Sequence, residues 1–165
     1  MDKALLAGLC SGCFLLQSSI IPFFFQGSYQ PDIWLVVIVM ASMIFSTGQA
    51  LLFAIIGGLI QDLVISNFFG LHLVPYIIIT YGFSMLGKGK YNRHWYISMI
   101  AVAIGTVVFI VSSYFIMILG GINSMAFSYF LYTGIFLVGL NAIFVLFFHK
   151  LLWSLSSGFE GESRW

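Results

Sequence analysis

The chain has 165 residues, of which 61% are hydrophobic and 7% charged, with a mean hydropathy of +1.09. Soluble domains carry about 25% charged residues, so a water-soluble globule is excluded. Six Lys and Arg against five Asp and Glu leave a formal charge of +1, which excludes the basic footprint of a nucleic-acid binder and leaves the lipid bilayer as the place to look for function.

The first apolar stretch runs from Ala4 to Phe25. It outlasts the hydrophobic region of a signal peptide and no small-residue cleavage site follows it, so it reads as a span. Gln26 to Asp32 is a loop, with Pro31 and Asp32 suited to opening the next helix. A second span, Ile33 to Phe45, is short for about 30 Å of hydrocarbon. Little tilt, borrowed flanking residues or local thinning of the bilayer would let it cross.

Ser46 to Gln49 reads as a hinge into a third span, Ala50 to Ile65. The turn-like Ser66 to Gly70 leads to a fourth, Leu71 to Leu86. A basic loop from Gly87 to His94 precedes two long apolar stretches, Trp95 to Leu119 and Ser128 to Trp153, separated by Gly120 to Ser124. Continuous apolar runs without period-2 alternation exclude a β-barrel. The expected architecture is all-α: one compact bundle of six transmembrane helices over residues 1–153, with a short polar, disordered cytoplasmic tail over 154–165.

Lys88, Lys90 and Arg93 place the fourth-to-fifth loop in the cytoplasm. Six spans then put both termini there, and Lys3, Lys150 and Arg164 all fall on the same side. Trp34, Tyr91, Trp95, Tyr96 and Trp153 sit near span ends, as an interfacial aromatic belt does.

One ionisable residue, Asp62, lies clearly within a span, where a charge at mid-bilayer costs about 2.5–3.5 kcal/mol. It shares a helical stripe with Ala50, Ala54 and Gly58, and small residues mark a face packed on other helices. His72 flanks the same outer turn, so an Asp62–His72 hydrogen bond is expected. It serves either as a structural clamp, the reading the residues favour, or as part of a proton or ion relay, for which the spans offer no second acidic or histidine site.

Asn141, near the middle of the sixth span, is expected to make an interhelical hydrogen bond. Ala4, Gly8 and Gly12 form a small-residue face on the first span, either an internal seam or a partner-binding face. Cys10 and Cys13 form a C-x-x-C inside an apolar helix, a poor setting for redox or metal chemistry. His94 and His149, among basic residues, read as solvated. The sequence holds no Ser/His/Asp set, phosphate loop or nucleotide fingerprint, so neither an enzyme nor a cofactor or metal site is expected.

The order Pro31-Asp32, then Gly57-Gly58-Leu-Ile-Gln-Asp62, then Phe69-Gly70-Leu71-His72 resembles the MreD family of rod shape-determining membrane proteins, most clearly from Pro31 to about Leu86. Pro31 and Asp32 match the family's Pro-Asp opening, Gly58 and Asp62 its third-span Gly and Asp, and Gly70 its turn glycine. His72 falls where relatives often carry a basic residue. Ser46 to Gln49 lacks the basic residue relatives often have.

The resemblance implies a non-enzymatic scaffold of the cell-elongation complex in the bacterial inner membrane, without cofactors. Its partners would be MreC, the cytoskeletal MreB, and the wall-synthesising pair RodA and penicillin-binding protein 2. The six-span size also resembles the substrate-binding S-components of energy-coupling-factor vitamin transporters. The discriminating feature is a ligand pocket near the outer face.

Overall fold

A computed structural model describes residues 3–25, 30–64, 66, 69–86, 94–121 and 127–160. Among them every regular element is helical. Helix α1 (Lys3–Leu15) passes through a π-helical turn, Leu16–Ile20, into the short α2 (Ile21–Phe24). Then follow α3 (Ile33–Ile44), α4 (Thr47–Val64), α5 (Leu73–Met85), α6 (Trp95–Leu119) and α7 (Phe127–Glu160). Four segments are long and apolar enough to cross a membrane: Ala7–Phe24, which takes in both parts of the first rod, Thr47–Val64, Trp95–Leu119 and Leu131–Leu152.

The two helices that fall short, α3 and α5, decide the architecture. At 1.5 Å per residue they are about 18 and 20 Å long, against about 38 Å for α6. Helix α3 is apolar all round because it is enclosed all round: every residue from Ile33 to Met43 is buried. It packs against α4, α5, α6 and α7. An all-apolar helix is stable either in lipid or in a protein interior, and the burial of α3 places it in the interior. The stretch expected as the second span is thus a short helix at the axis of the bundle, enclosed by protein.

Three local expectations are corrected. The hinge shrinks to Phe45–Ser46, since Thr47, Gly48 and Gln49 already belong to α4 and the Gln49 side chain turns back to accept from the Ser46 N–H at 3.4 Å. Trp34, expected in an interfacial belt, is 1% exposed and lies on Phe53 at 5.2 Å between ring centroids. Its indole sits where Gly57 leaves room; a Cβ on Gly57 would come within 2.5 Å of it. Being on the central helix, Trp34 points at protein whichever way it turns. Finally, α7 continues to Glu160, so residues 154–160, expected to be disordered, are helical.

Trp95 and Tyr96 are exposed near the start of α6. Tyr91 and the Trp153 side chain lie outside the described residues, as do Lys88, Lys90 and Arg93.

Candidate functional site

Short helices ending inside a bundle create a specific problem: the first N–H groups of a helix have no intrahelical partner, and water does not reach them there. In this protein two buried aspartates solve it, one at the start of α3 and one at the start of α5.

Asp32 is the N-cap of α3, extended at φ −97° and ψ 93°, with Oδ1 accepting from the Leu35 N–H at 3.0 Å. That is the ordinary N-cap bond. The rest of the arrangement is tertiary. Oδ2 accepts from the Tyr76 hydroxyl of α5 at 2.7 Å, and Gln61 Nε2 of α4 donates to Oδ1 at 3.4 Å and to Tyr76 Oη at 3.2 Å.

The neighbouring backbone groups are satisfied by side chains from the remaining helices. Asn141 Oδ1 of α7 accepts from the Asp32 N–H at 2.8 Å. Gln17 Oε1 accepts from the Ile33 N–H at 2.9 Å, while its Nε2 donates to the Pro31 carbonyl at 3.2 Å. Asn141 Nδ2 donates in turn to Thr106 Oγ1 of α6 at 3.1 Å. One buried network thus ties the first rod to α3, α4, α5, α6 and α7. Gln17 lies in the π turn, which ends two residues before Pro22; proline supplies no N–H and its ring crowds the carbonyl four residues back.

Asp62, near the end of α4, holds the start of α5. Oδ2 accepts from the Gly70 N–H at 2.8 Å and the Leu73 N–H at 3.2 Å, and Oδ1 from the His72 N–H at 2.8 Å. The expected side-chain bond is present too, with His72 Nδ1 and Asp62 Oδ1 3.0 Å apart. Gly70 has φ +95°, a left-handed conformation that turns its N–H toward the carboxylate and that a side chain disfavours. The hairpin can close so tightly because Gly58 offers bare backbone to α5: a Cβ there would lie 2.5 Å from Leu73 Cα.

Ala50, Ala54, Gly58 and Asp62 are all buried, on one face of α4. His72 is further enclosed by Tyr76 and Phe109, with ring centroids at 6.0 and 5.6 Å.

The sequence reading did not anticipate Gln61 or Tyr76 as members of the site. Gln17 and Thr106 are polar residues within apolar stretches of the sequence. A signal was present for the first two. Gln61 precedes Asp62 on an otherwise apolar helix, and Tyr76 follows His72 by one helical turn, which puts both on the same side of α5.

Gly8 and Gly12 are not part of either cluster. Among the described residues nothing lies within 4 Å of a Cβ built on either one, so no internal seam forms with them at these two positions. The first rod instead turns inward with Cys13 of α1 and Gln17 of the π turn, which are buried. Cys10 and Cys13 are free thiols, and among the described residues no three His, Cys, Asp or Glu gather as a metal-holding group. His149, expected in solvent, is half-buried, with Nδ1 2.9 Å from Ser98 Oγ; α6 and α7 run side by side and bring the two together.

The family model for the rod shape-determining protein MreD matches residues 4–155, and so takes in both aspartate clusters and all the described helices in whole or in part. The chain belongs to the MreD family. It is thereby a rod shape-determining membrane protein of bacteria. No curated protein and no solved structure matches it. In this MreD-family chain the Pro-Asp pair opens the central helix and the Gly-Asp pair closes the α4–α5 hairpin, so both motifs act where a short helix begins inside the bundle.

Tyr76→Phe tests the larger network. It removes the hydroxyl that donates to Asp32 and accepts from Gln61, while keeping the ring packing on Phe109 at 5.7 Å. Because it leaves a buried carboxylate oxygen short of a donor, the expected loss of stability in detergent unfolding is about 1–3 kcal/mol. A loss indistinguishable from zero would show that the Tyr76 hydroxyl does not help to hold Asp32.

Proposed function

We propose that this protein is a non-enzymatic scaffold subunit of the cell-elongation complex, a multi-pass protein of the bacterial inner membrane that joins MreC to the wall-synthesis partners RodA and penicillin-binding protein 2, beside MreB. The observation that carries the reading is the division of the polar side chains. Asp32, Gln61, Tyr76, Asn141 and Gln17 are all spent on one another and on helix ends, so the network rigidifies the bundle and leaves the outer surface to packing. A rigid helical surface with a small-residue face suits association in lipid, where close backbone approach takes the place of the hydrophobic effect.

Six crossings with both termini cytoplasmic are part of this proposal. Helices α3 and α5 are each about 10 Å short of the hydrocarbon thickness. The segments that complete those crossings are tolerable at that depth because the N–H groups beside them go to Gln17, Asn141 and Asp62 instead of to lipid. The common placement of Lys3, Lys88, Lys90, Arg93, Lys150 and Arg164 supports the same orientation. Nothing in the family match points to the vitamin-uptake alternative.

The surface assigned to the partner helix of MreC is the Gly8–Gly12 side of α1. Gly12→Leu extends a side chain into open space, so the fold is expected to keep its thermal stability. Co-purified MreC should fall by about tenfold, equivalent to about 1.4 kcal/mol of lost packing. Undiminished MreC recovery would remove this face from the proposal, and recovery of an energising ATPase in place of wall-synthesis proteins would overturn the scaffold reading itself.

A further inference from the structure

Helix α5 begins well below the end of its neighbour. Ser113 Oγ of α6 donates to the Leu71 carbonyl at 3.1 Å, and from Ser113 the helix continues to Leu119, about 9 Å further. The space above the start of α5 is a cavity of about 180 Å³ with Leu71 and His72 as its floor, Phe109 and Met117 of α6 on one wall and Leu137 of α7 on another. Gly134 of α7 also lines it, where the two helices come close: a Cβ on Gly134 would lie 2.9 Å from Ile110.

The lining is apolar but for three residues, and two of these are already engaged. Ser113 donates to Leu71, and Thr133 has a partner of its own. His72 is different. Its Nδ1 is engaged by Asp62, while among the described residues no hydrogen bond to Nε2 is seen, so Nε2 is the ring nitrogen that this lining residue has to offer a ligand. A ring nitrogen in an apolar cavity calls for a partner from outside the chain.

We propose that this cavity binds a small amphiphile with a hydroxyl head, placed against His72 Nε2, and an apolar body lying between α6 and α7. The hydroxyl follows from the chemistry of imidazole. Nδ1 faces a carboxylate that is already bonded to three backbone N–H groups, so Nε2 accepts when the ring is neutral and donates when it is charged. A hydroxyl meets either demand, whereas an ammonium or a carboxylate meets only one. The body follows from the volume. A dry apolar cavity of about 150 Å³ accommodates one benzene, so the space suits a single ring or a short chain and is far too small for a helix. The site is independent of the partner-binding face on α1, and its failure would leave that reading intact.

The test is photolabelling of the full chain in phosphatidylcholine nanodiscs, with a diazirine-bearing octanol and with the matching diazirine alkane, followed by peptide mapping. Saturable labelling of the α6 and α7 peptides that hold Met117 and Leu137 is expected, with the alcohol effective at about tenfold lower concentration than the alkane. His72→Phe should abolish that preference. Leu137→Trp, which fills the cavity and leaves His72 untouched, should abolish labelling and serves if His72→Phe does not fold.

Displacement of the probe by diacylglycerol would support a hydroxyl-headed lipid as the occupant; displacement by free octanol alone would support a small free alcohol. Equal labelling by alcohol and alkane, no saturation, or undiminished labelling of Leu137→Trp would overturn the proposal.

Discussion

Replacing Asp62 by alanine is expected to destabilise the purified protein by about 3–5 kcal/mol in reversible detergent unfolding. The carboxylate accepts from three backbone N–H groups, those of Gly70, His72 and Leu73, and from the His72 ring. Alanine leaves three donors at the start of α5 with no intrahelical alternative. Each unsatisfied buried group costs about 1–3 kcal/mol, the lower figure suiting those that are part-buried.

The informative control is His72→Phe, which keeps a ring against Tyr76 and Phe109 but removes one of the four bonds. It should cost about 1 kcal/mol. A clamp on the backbone thus predicts a wide gap between the two variants, and equal losses would mean that the aspartate–histidine pair, not the capping of α5, is the stabilising element. Asp62→Asn should fall between them, because the amide keeps one accepting oxygen and turns two donors toward donors.

The second large effect is expected at Gly58. A side chain there meets backbone: its Cβ would lie 2.5 Å from Leu73 Cα and 3.1 Å from Leu73 N. Backbone has no rotamer to change, so Gly58→Leu must push α5 away from α4. Overpacking ordinarily costs about 1–3 kcal/mol. Here the displacement also lengthens the bond from the Leu73 N–H to Asp62, so a loss of about 3 kcal/mol or more is expected, with Gly58→Ala somewhat milder. Gly12→Ala is the matched comparison on a helix with open space at that position, and should stay within about 0.5 kcal/mol of the parent. If Gly58→Leu unfolded no more readily than Gly12→Ala, the close contact of α4 with α5 would not be a feature of the folded protein.

Much of this protein is local in origin and was therefore legible in the residues themselves. Turn residues bound the apolar runs, which is why α6 begins and ends at Trp95 and Leu119 as expected and α3 begins at Ile33. The Asp62–His72 bond was also within reach, because both residues flank one tight hairpin and a hairpin turn leaves few places for the two side chains to go. The stripe of Ala50, Ala54, Gly58 and Asp62 follows from helical periodicity alone.

Tertiary structure alone decided which apolar face meets protein and which meets lipid. In a soluble protein the polar face of a helix announces its outside. In a bilayer the solvent is as apolar as leucine, so the same hydropathy describes a core and a surface. Helix α3 could thus be recognised as an apolar helix and not as the central one, and Trp34 could be placed near a helix end but not inside the bundle. The small face of α1 could be seen, while its outward direction could not.

The Asp32 network lay beyond local reasoning for the same cause. Its members Gln17, Asp32, Gln61, Tyr76, Thr106 and Asn141 span more than a hundred residues of chain and meet because α3 is short and central. Sequence by itself determined that helices would form, where α3 and α6 would start, and that a few polar groups had to find partners. Packing of one helix among all the others determined who those partners are.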